Sequence, residues 1–185
     1  MDPRIRALEA YLVASARAGD RRDLSRLVAL RGDRLMAHAV RLLGDREAAR
    51  DVVQEAWVEI MRGLKSLRDD HAFLPWALRI VTRRVAREIA RRQRGRAVAA
   101  AWAEEAETSV DEAGPQASDA VRVRAAIATL PRDQAATIAL FYLEDLTVGE
   151  VATALDVPVG TVKTRLMHSR RKLRAILEGD DDEQD

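Results

Sequence analysis

The stretch GTVKTRLMHSRRKLR, Gly160 to Arg174, carries Lys163, Arg165, Arg170, Arg171, Lys172 and Arg174 and no carboxylate. Guanidinium and ammonium groups spaced along one helix suit one kind of chemistry, holding phosphate oxygens and reading base edges. The residues just before it say how such a helix would be presented. Thr147 followed three residues later by Glu150 is a capping box, so a helix starts there. Val151, Ala152 and Leu155 give that helix a buried face, and small Ala152 lets a second helix approach closely. Asp156 can take a left-handed turn and Pro158 suits the first position of the next helix. The product is a helix-turn-helix, whose second helix enters the major groove with its N-terminal residues at base edges and its flanks on phosphates. Lys163, Thr164, Arg165 and His168 fall in the first turns, and Arg170, Arg171, Lys172 and Arg174 continue the positive face. A solvated basic face on a core helix is the alternative, and the preceding turn weighs against it.

A second basic block comprises Arg79, Arg83, Arg84, Arg87, Arg91, Arg92, Arg94 and Arg96. Lys and Arg total 31 against 30 Asp and Glu, so the net charge of +1 says little about partners and the distribution says more. The chain has no cysteine, which removes disulfides and thiolate metal sites, and His38, His71 and His168 are isolated. We expect neither a metal nor a cofactor. No nucleophile and base pair, glycine-rich phosphate loop or carboxylate dyad stands in a suitable context, so the chain does not read as an enzyme. Its longest apolar run, Ala97 to Ala103, is far short of the roughly 20 residues that span a bilayer. With no secretory signal at its start, it reads as cytoplasmic and soluble, with no membrane insertion.

The elements that must position these groups are helices, because apolar residues recur at helical spacing almost throughout. Leu24, Leu27, Val28, Leu35, Ala39 and Leu42 suit helices with one buried face, with Gly32 and Gly44 as expected breaks. Asp45 can cap a helix whose stripe is Val53, Trp57, Ile60 and Leu64. Phe73, Trp76, Ile80, Val81, Val85 and Ile89 mark another, with the arginine block on its other side. From 93 to 118 the pattern dissolves into alanine, acids and Gly114-Pro115, which reads as a flexible linker, although Ala97 to Glu107 suits a helix by composition. The expected fold is all-α, with two small helical domains at 1–92 and 119–177, the second containing the helix-turn-helix. The tail 178–185, EGDDDEQD, is expected to be disordered.

From Leu130-Pro131 to Gly160-Thr161-Val162-Lys163 the second domain resembles the promoter-binding domain of bacterial sigma factors of the extracytoplasmic-function type. The first domain resembles the same family. LLGDREAARDVVQEAWVEIMRGL, Leu42 to Leu64, is similar to its segment that binds the clamp of core RNA polymerase, which implies contacts by Asp51, Gln54 and Glu55 with Val53, Trp57 and Ile60 packed behind. HAFLPWALRIVTRRVAREIARRQRGR is similar to the segment that holds the melted minus 10 element, with Trp76, Arg79 and Ile80 matching. The implied DNA contacts are Arg79, Arg83, Arg84, Arg87 and Arg91 there, and Thr161, Lys163, Thr164, Arg165, His168, Arg170 and Arg171 at the minus 35 element. Core burial accounts equally well for Phe73 and Trp76. The departures are Arg50 for a common acid, Arg83 for asparagine, Arg87 for aspartate, Asp156 for the usual turn glycine and His168 for a common arginine.

The resemblance implies a dissociable initiation factor, with core RNA polymerase, promoter DNA and an anti-sigma factor as partners and a monomer when free of them. The linker acids Glu104, Glu105, Glu107, Asp111 and Glu112 suit either nucleic-acid mimicry or a plain tether. A stand-alone helix-turn-helix regulator and a sigma-like decoy that binds a regulatory protein are the rival functions.

Overall fold

The computed structural model describes residues 2–102 and 119–179. The linker acids and the tail beyond 179 lie outside the described residues. Within them the chain is helical, without a strand.

Helix α1 (Pro3–Arg17) starts at Asp2, whose carboxylate accepts from the Arg4 amide. Asp20 caps α2 (Arg21–Leu43) in the same way, and Asp45 caps α3 (Arg46–Gly63) by accepting from the amides of Glu47 and Ala48. Gly44 takes φ 70 between α2 and α3, a left-handed value that costs glycine nothing. Short 3-10 turns at Leu64–Ser66 and Asp70–Ala72 lead into α4 (Phe73–Trp102), which continues into the segment read as linker. After 119 come α5 (Asp119–Ala128), α6 (Arg132–Ile138), a π-helical turn at Ala139–Leu143, α7 (Val148–Leu155) and α8 (Val159–Gly179).

Gly32 does not break α2, contrary to expectation. Leu27 and Leu35 on either side are fully buried, and their burial outweighs the roughly 1 kcal/mol by which glycine disfavours a helix. A methyl group at Gly32 would meet nothing within 4 Å, whereas at Gly63 it would lie 2.9 Å from the Trp76 ring. Gly32→Ala is therefore expected to raise stability by about 0.4–1 kcal/mol and Gly63→Ala to lower it by about 1–3 kcal/mol. Urea midpoints of the two variants check both signs.

The first unit closes over Leu12, Leu27, Leu35, Ile60, Phe73 and Leu78. Phe73 bridges Trp57 and Trp76, with ring centroids 6.5 and 6.1 Å away. The second unit buries Leu130, Ile138, Leu140, Val151, Val162 and Leu166. The two units share one continuous buried cluster, and α7 lies against α4.

His38 on α2 is fully buried, with Nε2 2.9 Å from the Thr82 hydroxyl and Nδ1 without a partner. Burial, then the nearby charges of Arg41 and Arg34, lowers its pKa to about 3. An unfolded histidine takes up its proton near pH 6.5, so the neutral ring's contribution is full above that and is lost as pH falls toward 3. The slope is about 1.4 kcal/mol per pH unit. His38→Gln is expected to lose less stability than the wild type between pH 7 and 5, read as the difference between their urea midpoints.

Candidate nucleic-acid interface

The capping box forms as the sequence predicts: the Glu150 amide donates to the Thr147 hydroxyl at 3.3 Å and the Thr147 amide donates to Glu150 Oε2 at 2.8 Å. Asp156 closes α7 in the left-handed region at φ 57. Helix α8 begins one residue later than expected, with the Pro158 carbonyl accepting from the Val162 amide at 3.2 Å. Val162 and Leu166 are buried, which fixes the rotation of α8 and turns Lys163, Thr164, Arg170 and Arg171 to solvent. Thr161, Arg165 and His168 are half-buried at the margins of that face.

The cations on this face are not equivalent. Lys163 and Arg171 have no ion-pair partner among the described residues. Arg165 is held 3.0 Å from the Asp133 carboxylate of α6. Arg170 donates to the Tyr142 hydroxyl at 2.6 Å and lies over the rings of Phe141 and Tyr142, 5.9 and 5.6 Å from their centroids. Thr164 donates to the Gly160 carbonyl at 3.0 Å. Sequence reasoning missed Asp133, Phe141 and Tyr142 as supports of the recognition helix. The adjacent aromatic pair Phe141-Tyr142, in a chain with few aromatic residues, was the available signal.

Much of the arginine face of α4 is already paired with carboxylates. Arg79 pairs with Asp156, Arg83 with Glu59, and Arg84 with Glu55 and, at 3.0 Å, Glu59. Arg91 and Arg92 grip Glu88 at 2.7 and 2.8 Å. Hydrogen bonds from Arg91, then Arg92, lower the Glu88 pKa to about 2. Arg92 also reaches Asp45 at 2.9 Å, and that bond, followed by the Ala48 amide, lowers the Asp45 pKa. Of the five expected minus 10 contacts only Arg87 is exposed with no ion pair among the described residues. Exposed ion pairs are worth about 0–1 kcal/mol each, so a phosphate can displace these carboxylates at small cost.

An open groove between α3 and α4 is lined by Asp45, Asp51, Glu55, Arg84, Arg87 and Arg91. On the α3 side Asp51, Gln54 and Glu55 are exposed, while Val53, Trp57 and Ile60 are buried behind them. Val58 and Met61, 41% and 43% exposed, prolong the same stripe. The sequence reading passed over these two, although they stand at helical spacing from Asp51 and Gln54.

Comparison with known proteins fits this division. Residues 27–95 match the family model Sigma-70 region 2, and residues 120–173 match Sigma-70, region 4. The RNA polymerase sigma-H factor of Pseudomonas aeruginosa is 29% identical over 92% of this chain and 94% of its own length. The ECF RNA polymerase sigma factor SigM of Mycobacterium tuberculosis is 30% identical over 91% of this chain and 84% of its own. The solved structure of CnrH in complex with the cytosolic domain of CnrY superposes with a TM-score of 0.69 at 26% identity, covering 94% of this chain and 99% of that one.

Proposed function

The chain belongs to the extracytoplasmic-function group of RNA polymerase sigma factors, and from that membership we propose how its residues divide the work of transcription initiation. The unit over 1–92 docks on core RNA polymerase through Asp51, Gln54 and Glu55 of α3. Its α4 then offers Arg79, Arg83, Arg84, Arg87 and Arg91 to the melted minus 10 element. The unit over 119–177 reads the minus 35 duplex with α8, through Thr161, Lys163, Thr164, Arg165, His168, Arg170 and Arg171.

The physical logic runs from charge and exposure. Separated single strands have exposed base faces and flexible phosphates, which guanidinium groups engage by stacking and by forked hydrogen bonds. A duplex presents base edges only in its grooves, and a rigid helix with buried Val162 and Leu166 behind it brings Lys163 to them in one register. No residue of this scheme breaks a bond. The protein acts by positioning, and the polymerase supplies the catalysis.

The observation that carries the reading is that one chain joins an exposed cationic recognition helix to a carboxylate-bearing, partly apolar stripe on α3. The first suits DNA and the second a protein. Co-purification with core RNA polymerase followed by run-off transcription on genomic fragments tests it. Discrete transcripts that need both proteins are expected; DNA binding without core binding would replace this reading with a stand-alone regulator. A masking anti-sigma partner belongs to the same proposal, supported by the likeness to CnrH, which was solved with the cytosolic domain of CnrY. We further propose a cytoplasmic monomer; among the described residues no helix is long and apolar enough to cross a membrane.

A further inference from the structure

Tyr142 is 52% exposed, yet its hydroxyl is held: Arg170 Nε on α8 donates to it at 2.6 Å. The guanidinium carbon stands 5.6 Å from the Tyr142 ring centroid and 5.9 Å from that of Phe141. The two rings meet edge to face, with centroids 4.9 Å apart and planes at 84°. One cation is therefore caught at a corner by a phenol and flanked by two aromatic rings.

The backbone makes this cradle possible. Consecutive side chains diverge by about 100° on an α-helix, so neighbouring rings do not ordinarily reach one cation. Phe141 and Tyr142 lie in the π-helical turn Ala139–Leu143, a rare form that concentrates at functional places. Ala139 and Leu140, buried just before them, anchor that turn in the core of the second unit. Leu166 and Ser169, buried on the neighbouring turns of α8, fix the helix from the other side.

The other cations of α8 show what is particular about Arg170. Asp133 holds Arg165 at 3.0 Å and Glu178 holds Arg174 at 3.5 Å, and a carboxylate that fixes an arginine also cancels its charge. Lys163 and Arg171 are exposed and keep their charge, but no ion pair among the described residues fixes them. Arg170 is fixed by neutral groups and stays fully charged. Its Nε is spent on the phenol, and neither Nη has a hydrogen-bond partner among the described residues. Those two Nη groups are the fork that grips two phosphate oxygens at once. Arg170 stands about three turns beyond the start of α8 at Val159, on the part of a recognition helix that meets the DNA backbone rather than base edges.

We propose that Tyr142, with Phe141 beside it, is a positioning residue for DNA binding: it holds Arg170 ready as a phosphate clamp, so that the duplex gains this contact without ordering a loose side chain. Arginine has among the most rotamer freedom to lose, and what is lost in the free protein is not lost again on binding. The inference rests on the reading of α8 as a duplex-binding helix, and adds to it a residue on another element that acts without touching DNA.

Anisotropy titrations of a labelled random-sequence duplex with the full-length chain, at several low salt concentrations, test this without a known promoter. Tyr142→Phe keeps the ring and removes the hydroxyl. It is expected to weaken binding about two- to tenfold while keeping the salt slope and melting temperature of the wild type. Arg170→Ala should weaken binding further and lower the slope by about 1. Adding Tyr142→Phe to Arg170→Ala should change nothing more, because the phenol acts only through the guanidinium. Wild-type affinity in Tyr142→Phe would overturn the proposal. An equal loss in both backgrounds would also overturn it, by showing that the phenol touches DNA itself, and so would a loss accompanied by a lower melting temperature, which would make Tyr142 a strut. A wild type that binds no duplex at low salt would remove the DNA reading of α8 and the clamp together. Transcription with core polymerase is scored separately: coupling between Tyr142 and Arg170 in a chain that never directs transcription would sink the initiation reading and leave the clamp standing.

Discussion

Asp51→Arg is expected to cut capture of core RNA polymerase at least tenfold, a loss of about 1.4 kcal/mol or more, while leaving helix content and melting temperature unchanged. Asp51 is exposed on α3 and makes no ion pair or side-chain hydrogen bond among the described residues, so nothing inside the protein depends on it. Reversing its charge removes one attraction to a cationic partner and adds one repulsion. Glu55 is a less clean test, because its carboxylate also holds Arg84. Val58 and Met61 should matter next, since apolar side chains beside a charged contact exclude water and strengthen it. Equilibrium titration of fluorescently labelled protein with core polymerase decides the matter. Normal affinity for Asp51→Arg would remove α3 from the polymerase interface.

Local rules made much of this molecule legible. The Asp45 cap, the Thr147 and Glu150 capping box, the break at Gly44 and the left-handed turn at Asp156 all follow from the chemistry of one or two neighbouring residues, and each forms as read. The buried stripe of Val53, Trp57, Ile60 and Leu64 follows from helical period alone. Gly32 misled because propensity is weak beside the burial of Leu27 and Leu35. The arginine block was visible as charge, but its state was not: Glu59 lies 24 residues from Arg83 in sequence, and only the packing of α3 on α4 brings them together. Glu144 is the extreme case, separated from Arg34 by 110 residues. In the sequence it is one acid among many, and only the folded chain shows it buried and held by Arg34 and Arg41.

At the minus 35 interface, Lys163→Ala and Arg165→Ala should both weaken promoter binding, but for different reasons. Lys163 is exposed on the first turns of α8 with no partner to lose, so its removal is expected to cost about 1–3 kcal/mol on the cognate duplex if it reaches a base edge. An equal loss on random duplex, with a salt slope reduced by about 1, would reassign it to a phosphate. Arg165 is half-buried and tied to Asp133, so its truncation removes a DNA contact and a strut between α6 and α8 together. Asp133→Asn separates the two roles. It frees the guanidinium while keeping the side chain's size, so a base-reading Arg165 would retain or gain affinity in that variant. A strut would instead lose affinity in Asp133→Asn as it does in Arg165→Ala, and the melting temperature would fall in both. Binding isotherms on cognate and random duplexes, taken at two salt concentrations for the three variants, assign each cation to base, phosphate or scaffold.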